Sequence, residues 1–181
     1  MDRTFNAHRE RAKEIFSFII EEMGKRIPEG VCFHFEIAGD LLDEETIRIL
    51  STAPKGSMQL EVGIQSFYEP TLAYIRRKIQ VEKVIEKIQK ILAVGNIHVH
   101  IDLIAGLPLE TYALFRESVN KAYAVGANML QMGFLKLLHG SPMRENPQRY
   151  PCTFTESAPY EVIETPWISK EELKRLHKAE W

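Results

Sequence analysis

Two hydrophobic periods take turns along this chain. Val31, Phe33, Phe35 and Ile37 alternate with Cys32, His34 and Glu36, the two-residue period of a strand with one buried face. Met58, Leu60, Val62 and Ile64 alternate in the same way with Gln59, Glu61, Gly63 and Gln65, and Ile97, Val99, Ile101 and Leu103 with His98, His100 and Asp102. A fourth strand is predicted over Asn128 to Leu135. Between the strands the period lengthens. Ala12, Ile15, Phe16, Ile19 and Met23 recur at helical spacing from a start that Asn6 or Thr4 could cap, and Pro28 and Gly30 end the run. Asp43-Glu44-Glu45 opens a short helix through Ile47, Leu50 and Ala53, with acids at its positive end. A helical stretch fills 69–94, broken near Lys78-Ile79-Gln80, and another fills 111–125 with Tyr112, Phe115, Val119 and Tyr123 inside it.

Strand and helix therefore alternate four times, with helices long enough to be crossovers. That pattern predicts an α/β fold with a parallel sheet built from βαβ units. After Gly140 the texture changes: Pro142, Pro147, Pro151, Pro159 and Pro166 break the chain into turns. A short strand is expected at Tyr160 to Ile163 and a last helix from Ser169 to Trp181. The first helix has no strand to cross over from, and four strands are few for so many helices. The expectation is a piece of a larger barrel.

The polar side of the predicted strands carries the chemistry. It gathers His34 and Glu36, then Gln59, Glu61 and Gln65, then His98, His100 and Asp102, then Gln131. Barrel interiors are filled mostly by branched aliphatics. Buried carboxylates and amides cost several kcal/mol each without partners, so this interior reads as a wide, partly open barrel lined for a polar ligand. Ligands of such sheets bind at the carboxyl ends of the strands, here Glu36 to Asp40, Gln65-Ser66, Asp102 to Gly106 and Gly133 to Leu135.

Composition narrows the partners. The 181 residues carry a formal net charge of -2 and a pI near 6.3, so no basic excess points to nucleic acid. No apolar run is long enough for a membrane span and the start lacks a signal-peptide pattern. Cys32 and Cys152 stand far apart and form neither a disulfide framework nor a zinc pattern; a reduced, cytoplasmic protein is the expectation. Rival readings stay open on residues alone. His98-x-His100-x-Asp102 could serve a metal-dependent barrel hydrolase, and a polar interior that only satisfies itself would suit a non-catalytic α/β binding module.

Leu60-Glu61-Val62-Gly63-Ile64-Gln65-Ser66, then Arg77 with Val81-Glu82, then Asp102-Leu103-Ile104-Ala105-Gly106-Leu107-Pro108 resemble the later motifs of radical S-adenosylmethionine (SAM) enzymes. Gly140-Ser141-Pro142-Met143-Arg144 resembles the family's turn after its sixth strand, and Asp2-Arg3-Thr4-Phe5-Asn6 the end of its second. The finer texture is similar to the subgroup with a cobalamin-binding domain ahead of the radical domain, some of whose members carry an oxidative-cyclase or Fe-S oxidoreductase label. The resemblance implies a fragment of a (βα)6 partial TIM barrel over 2–145, with 146–181 a Pro-rich extension without an assigned role. It implies that the whole protein cleaves SAM reductively to a 5′-deoxyadenosyl radical and abstracts hydrogen from a substrate. It also implies a reductant such as flavodoxin or ferredoxin. By family position Gln65 and Ser66 with Glu61 would face the ribose or methionyl end of SAM, Arg77 its carboxylate, Ile104 and Gly106 its adenine, and Asp2 its amino group. His34, Glu36 and Asp102 would face a substrate cavity.

One departure stands out. The family's C-x-x-x-C-x-x-C is absent, and a [4Fe–4S] cluster needs cysteine thiolates. The chain is therefore expected to lack the cluster ligands and to be inactive alone. The open sheet edge where further strands would pair makes self-association an expectation too.

Overall fold

The computed structural model describes residues 4–179. After a 3-10 turn at Phe5–Ala7 come α1 (Arg9–Glu22), β1 (Phe33–Ile37), a 3-10 turn at Gly39–Leu41, α2 (Glu44–Ser51) and β2 (Met58–Gln65). There follow α3 (Glu69–Tyr74), α4 (Val81–Val94), β3 (His98–Ala105), α5 (Tyr112–Ala124) and β4 (Met129–Phe134). The remainder holds α6 (Pro142–Glu145), β5 (Thr153–Phe154), β6 (Val162–Glu164) and α7 (Lys170–His177). The first four strands form one parallel sheet in the order β1-β2-β3-β4. In it Phe33 pairs with Met58, Glu36 with Glu61 and Ile37 with Val62.

The predicted alternation is realised. On β2, Met58, Leu60, Val62 and Ile64 are buried, while Gln59, Glu61, Gly63 and Gln65 are half-buried. Each fully buried aliphatic of this kind contributes about 1.5–3 kcal/mol over its exposed state. The apolar face therefore fixes which way every polar side chain points.

Two compact units divide the chain. Of the described residues, the first comprises 4–64, 79–102 and 122–130; the second comprises 65–78, 103–121 and 131–179. In the first, α1 packs on α2 and α2 on α4. Lys13, only 9% exposed, ties α1 to α2 through Asp43 at 3.1 Å and Glu45 at 2.6 Å. The start of α1 differs from expectation. His8 caps it, its Nδ1 accepting from the Arg11 N–H at 3.3 Å. Thr4 makes no side-chain cap bond. Asn6 is turned away to clamp the residue after β1, its Nδ2 donating to the Ala38 carbonyl at 2.9 Å and its Oδ1 accepting from the Ala38 N–H at 2.8 Å.

In the second unit the C-terminal segment is more structured than the prolines suggest. β6 starts two residues later than expected and pairs antiparallel with the two-residue β5. The segment joins onto the chain after β4, with the Val162 N–H donating to the Leu135 carbonyl at 2.9 Å and the Leu137 N–H to the Tyr160 carbonyl at 2.8 Å. Ser169 and Glu172 close α7 with a reciprocal capping box. The helix ends at His177, short of the expected terminus. No helix among the described residues is long and apolar enough to cross a membrane.

Candidate functional site

The first unit presents a polar strand face. Glu36 on β1 lies opposite Glu61 on β2. His34 Nε2 sits 2.9 Å from Glu61 Oε2, and Glu61 is hydrogen-bonded in turn to Asp102 on β3. Three neighbouring strands are thus linked by one run of polar side chains. Burial first, then the hydrogen bond and charge of Glu61 and the charge of Glu36, push the Asp102 carboxyl up to about 7. His100 is 6% exposed, with its Nδ1 3.4 Å from Gln59 Nε2 and its ring edge-on to His98 and His34, centroids 4.8 and 5.8 Å away. Burial, then the two neighbouring imidazoles, holds His100 below the usual histidine range.

The network is incomplete. Among the described residues, His100 Nε2 and Asp102 Oδ1 are buried without a hydrogen-bond partner. Buried polar groups are nearly always paired, so orphans on one face point to a polar ligand or water. The hydrolase reading finds no support in the geometry: among the described residues no group of three or more His, Cys, Asp or Glu is placed to hold a metal ion. His98 and His100 instead use their rings against each other.

In the second unit the turn after β2 is built around a buried acid that the sequence reading missed. Glu110 is 1% exposed. Its Oε1 accepts from the Ser66 hydroxyl at 2.6 Å and the Ser118 hydroxyl at 3.0 Å. Those hydroxyls accept in turn, Ser66 from the Tyr68 N–H at 2.9 Å and Ser118 from the Phe67 N–H at 3.1 Å. Burial raises the Glu110 carboxyl above its ordinary value, and the two serines only partly offset it. From sequence, an acid just before a helix resembles a solvated complement to the helix dipole.

Ser66 is turned inward, fully buried, and braces the turn through its bond to Glu110. Gln65 beside it is half-buried and held at φ +76. Such a conformation in a non-glycine residue persists only where surroundings impose it, and it clusters at functional sites.

Arg77 and Ile104 are half-buried. Gly106 is packed against the C-terminal segment. It sits at φ +86, and a Cβ there would lie 2.6 Å from Val162 Cγ1. The open space beside this glycine is filled by the chain's own C-terminal segment. Asp2 lies outside the described residues.

The thiols do not fit an iron–sulfur cluster. Cys32 is exposed and Cys152 half-buried, both free, and burial raises the Cys152 thiol. Two cysteines do not supply the three thiolates that leave one iron open for SAM.

A sequence model of the radical SAM superfamily matches residues 2–122. The chain is 26% identical over 152 residues to the heme chaperone HemW of Bacillus subtilis, covering 82% of this chain and 38% of that protein. It thus spans well under half the length of that relative. Two solved structures share the fold. TsrM from Kitasatospora setae, a radical SAM methyltransferase with cobalamin and a [4Fe–4S] cluster bound, has a TM-score of 0.65 at 19% identity, over 88% of this chain and 31% of its own. Coproporphyrinogen III oxidase (HemN) from Escherichia coli has a TM-score of 0.65 at 16% identity, over 92% of this chain and 36% of its own. With the family's motifs in order and its sequence model matched over 121 of 181 residues (2–122), this chain belongs to the radical SAM superfamily.

Proposed function

We propose that this chain supplies part of the SAM and substrate pocket of a radical SAM enzyme. The observation that carries the reading is the polar strand face with its buried, unpartnered His100 Nε2 and Asp102 Oδ1, in a chain of a family whose shared reactant is SAM. SAM held there, given one electron from a reductant such as flavodoxin or ferredoxin through a cluster, would be split into methionine and a 5′-deoxyadenosyl radical that takes hydrogen from a substrate. The chain's own contribution is to bind and orient. Glu61 and Gln65 are assigned to the ribose or methionyl end, Arg77 to the carboxylate and Ile104 to the adenine. His34, Glu36 and Asp102 are assigned to the substrate. Glu110, through Ser66 and Ser118, fixes the turn that carries Gln65.

Cys32 and Cys152 take no part in that chemistry. The fold shared with TsrM, whose structure holds cobalamin, supports the cobalamin-associated subgroup, with no residue of this chain assigned to cobalamin.

The test is calorimetric titration of the 181-residue chain with SAM, without cluster or reductant. Saturable binding, weakened about tenfold by Gln65→Ala with the fold intact by circular dichroism, is the expected result. Absence of saturable binding in the native chain would remove the pocket from this chain.

A further inference from the structure

A second pocket lies within the second unit, among residues to which the SAM reading gives no role. It is a cleft of about 380 Å³ between the end of α3 and the segment 142–150, inside the range of small-molecule sites, about 300–1,000 Å³. Its apolar wall is formed by Ile75, Met143 and Tyr150, and its cations are Arg76 and Arg149. Neither guanidinium has a carboxylate partner among the described residues. Glu145 is the acid of the lining, which leaves one positive charge in excess.

The arginines are not simply solvated. Arg149 lies over two rings, Tyr74 at 5.2 Å and Tyr150 at 5.4 Å, and the Tyr74 hydroxyl donates to the Arg149 carbonyl at 2.6 Å. The rings are themselves edge-to-face at 5.6 Å. Stacking occupies the faces of the guanidinium and leaves its in-plane donors, the fork that matches a carboxylate or phosphate. Arg76, at φ +61, is the left-handed residue that ends α3.

We propose that this cleft binds a small organic anion. A carboxylate or phosphate group pairs with the Arg149 and Arg76 guanidiniums, and an apolar body lies against Ile75, Met143 and Tyr150. The volume is too large for an inorganic anion alone, since each water takes about 30 Å³.

Methionine methyl NMR gives a local readout, because Met143 is one of six methionines and lines the cleft. The chain labelled at its methionine methyls is titrated with anilinonaphthalene sulfonate, an anion on an aromatic body, and separately with inorganic pyrophosphate. Met143→Leu identifies the resonance. The expected result is a saturable shift of Met143 with the aromatic anion, and binding at least tenfold weaker for pyrophosphate. Arg149→Gln and Arg76→Gln each weaken the aromatic anion by about tenfold, the loss of one charge-assisted contact, and Arg149→Lys restores part of it. Three results overturn the proposal: no saturable Met143 shift in the native chain; affinity unchanged in the two arginine variants; or pyrophosphate binding as tightly as the aromatic anion. The first needs no variant, so a substitution that misfolds does not spare the proposal. No arm uses SAM, so its failure and that of the SAM pocket are separable.

Discussion

At the scale of single residues, the buried carboxyls are the informative groups. Asp102 is lifted from 3.8 to about 7. A carboxyl whose folded-state value lies above its unfolded one binds its proton more tightly when folded. Its contribution to stability is therefore full below the unfolded value and is lost as pH rises through about 7. Asp102→Asn removes that dependence. Melting curves collected between about pH 4 and 8 should show the variant gaining on the native chain as pH rises, with the difference levelling above about 7. A difference that stays flat over this range would mean that Asp102 ionises freely in the fold.

Glu110 makes the complementary case. Its carboxyl is raised and one oxygen is unpartnered, so Glu110→Gln, which keeps an acceptor for both serines, should cost less than about 1 kcal/mol. Glu110→Ala strands two buried hydroxyls at about 1–3 kcal/mol each. Urea denaturation that found the two variants equally stable would refute the clamp. Neither role was legible in the chain. Ser66 and Glu110 are 44 residues apart, and no local pattern announces a bond over that distance.

At the scale of elements, strand and helix positions followed from the pattern because one sheet face is buried. Met58, Leu60, Ile64, Val99, Ile101 and Leu103 are all at 0% exposure, and a strand with one such face has a single workable register. Cap identity did not follow. Whether His8, Asn6 or Thr4 starts α1 depends on where β1 ends, since the Ala38 backbone takes Asn6 away. The two-residue β5 is too short to display any period.

The packing of β6 on Gly106 was equally hidden, because a Gly-Leu-Pro turn looks the same whatever covers it. That packing makes Gly106→Ala doubly unfavourable, through φ +86 and through overlap with Val162 Cγ1 at 2.6 Å. Overpacking of this kind costs about 1–3 kcal/mol. Val162→Ala, itself destabilising, should recover part of the loss when combined with Gly106→Ala, leaving the backbone strain. A double-mutant cycle that came out additive would mean that the two positions do not touch.

At the scale of the whole molecule, the polar strand face and the missing thiolates point in different directions. The face looks ready for a polar ligand: acids and imidazoles linked across β1, β2 and β3, with buried atoms left to pair. The cysteines cannot match it, since an iron–sulfur cluster needs several thiolates and the chain has two, one exposed and one half-buried. Binding and cleavage of SAM should therefore separate in this chain. Cleavage would need an electron supplied through such a cluster, whereas the side chains assigned to the pocket would make their contacts with SAM without it. Incubated with iron, sulfide, a strong reductant and SAM, the 181-residue chain is expected to yield no 5′-deoxyadenosine above a protein-free control, while still retaining SAM in a filtration assay. Appearance of 5′-deoxyadenosine in proportion to the chain would show that Cys32 and Cys152 serve a cluster after all. Failure to retain SAM would instead place the family's cofactor pocket outside the residues described here.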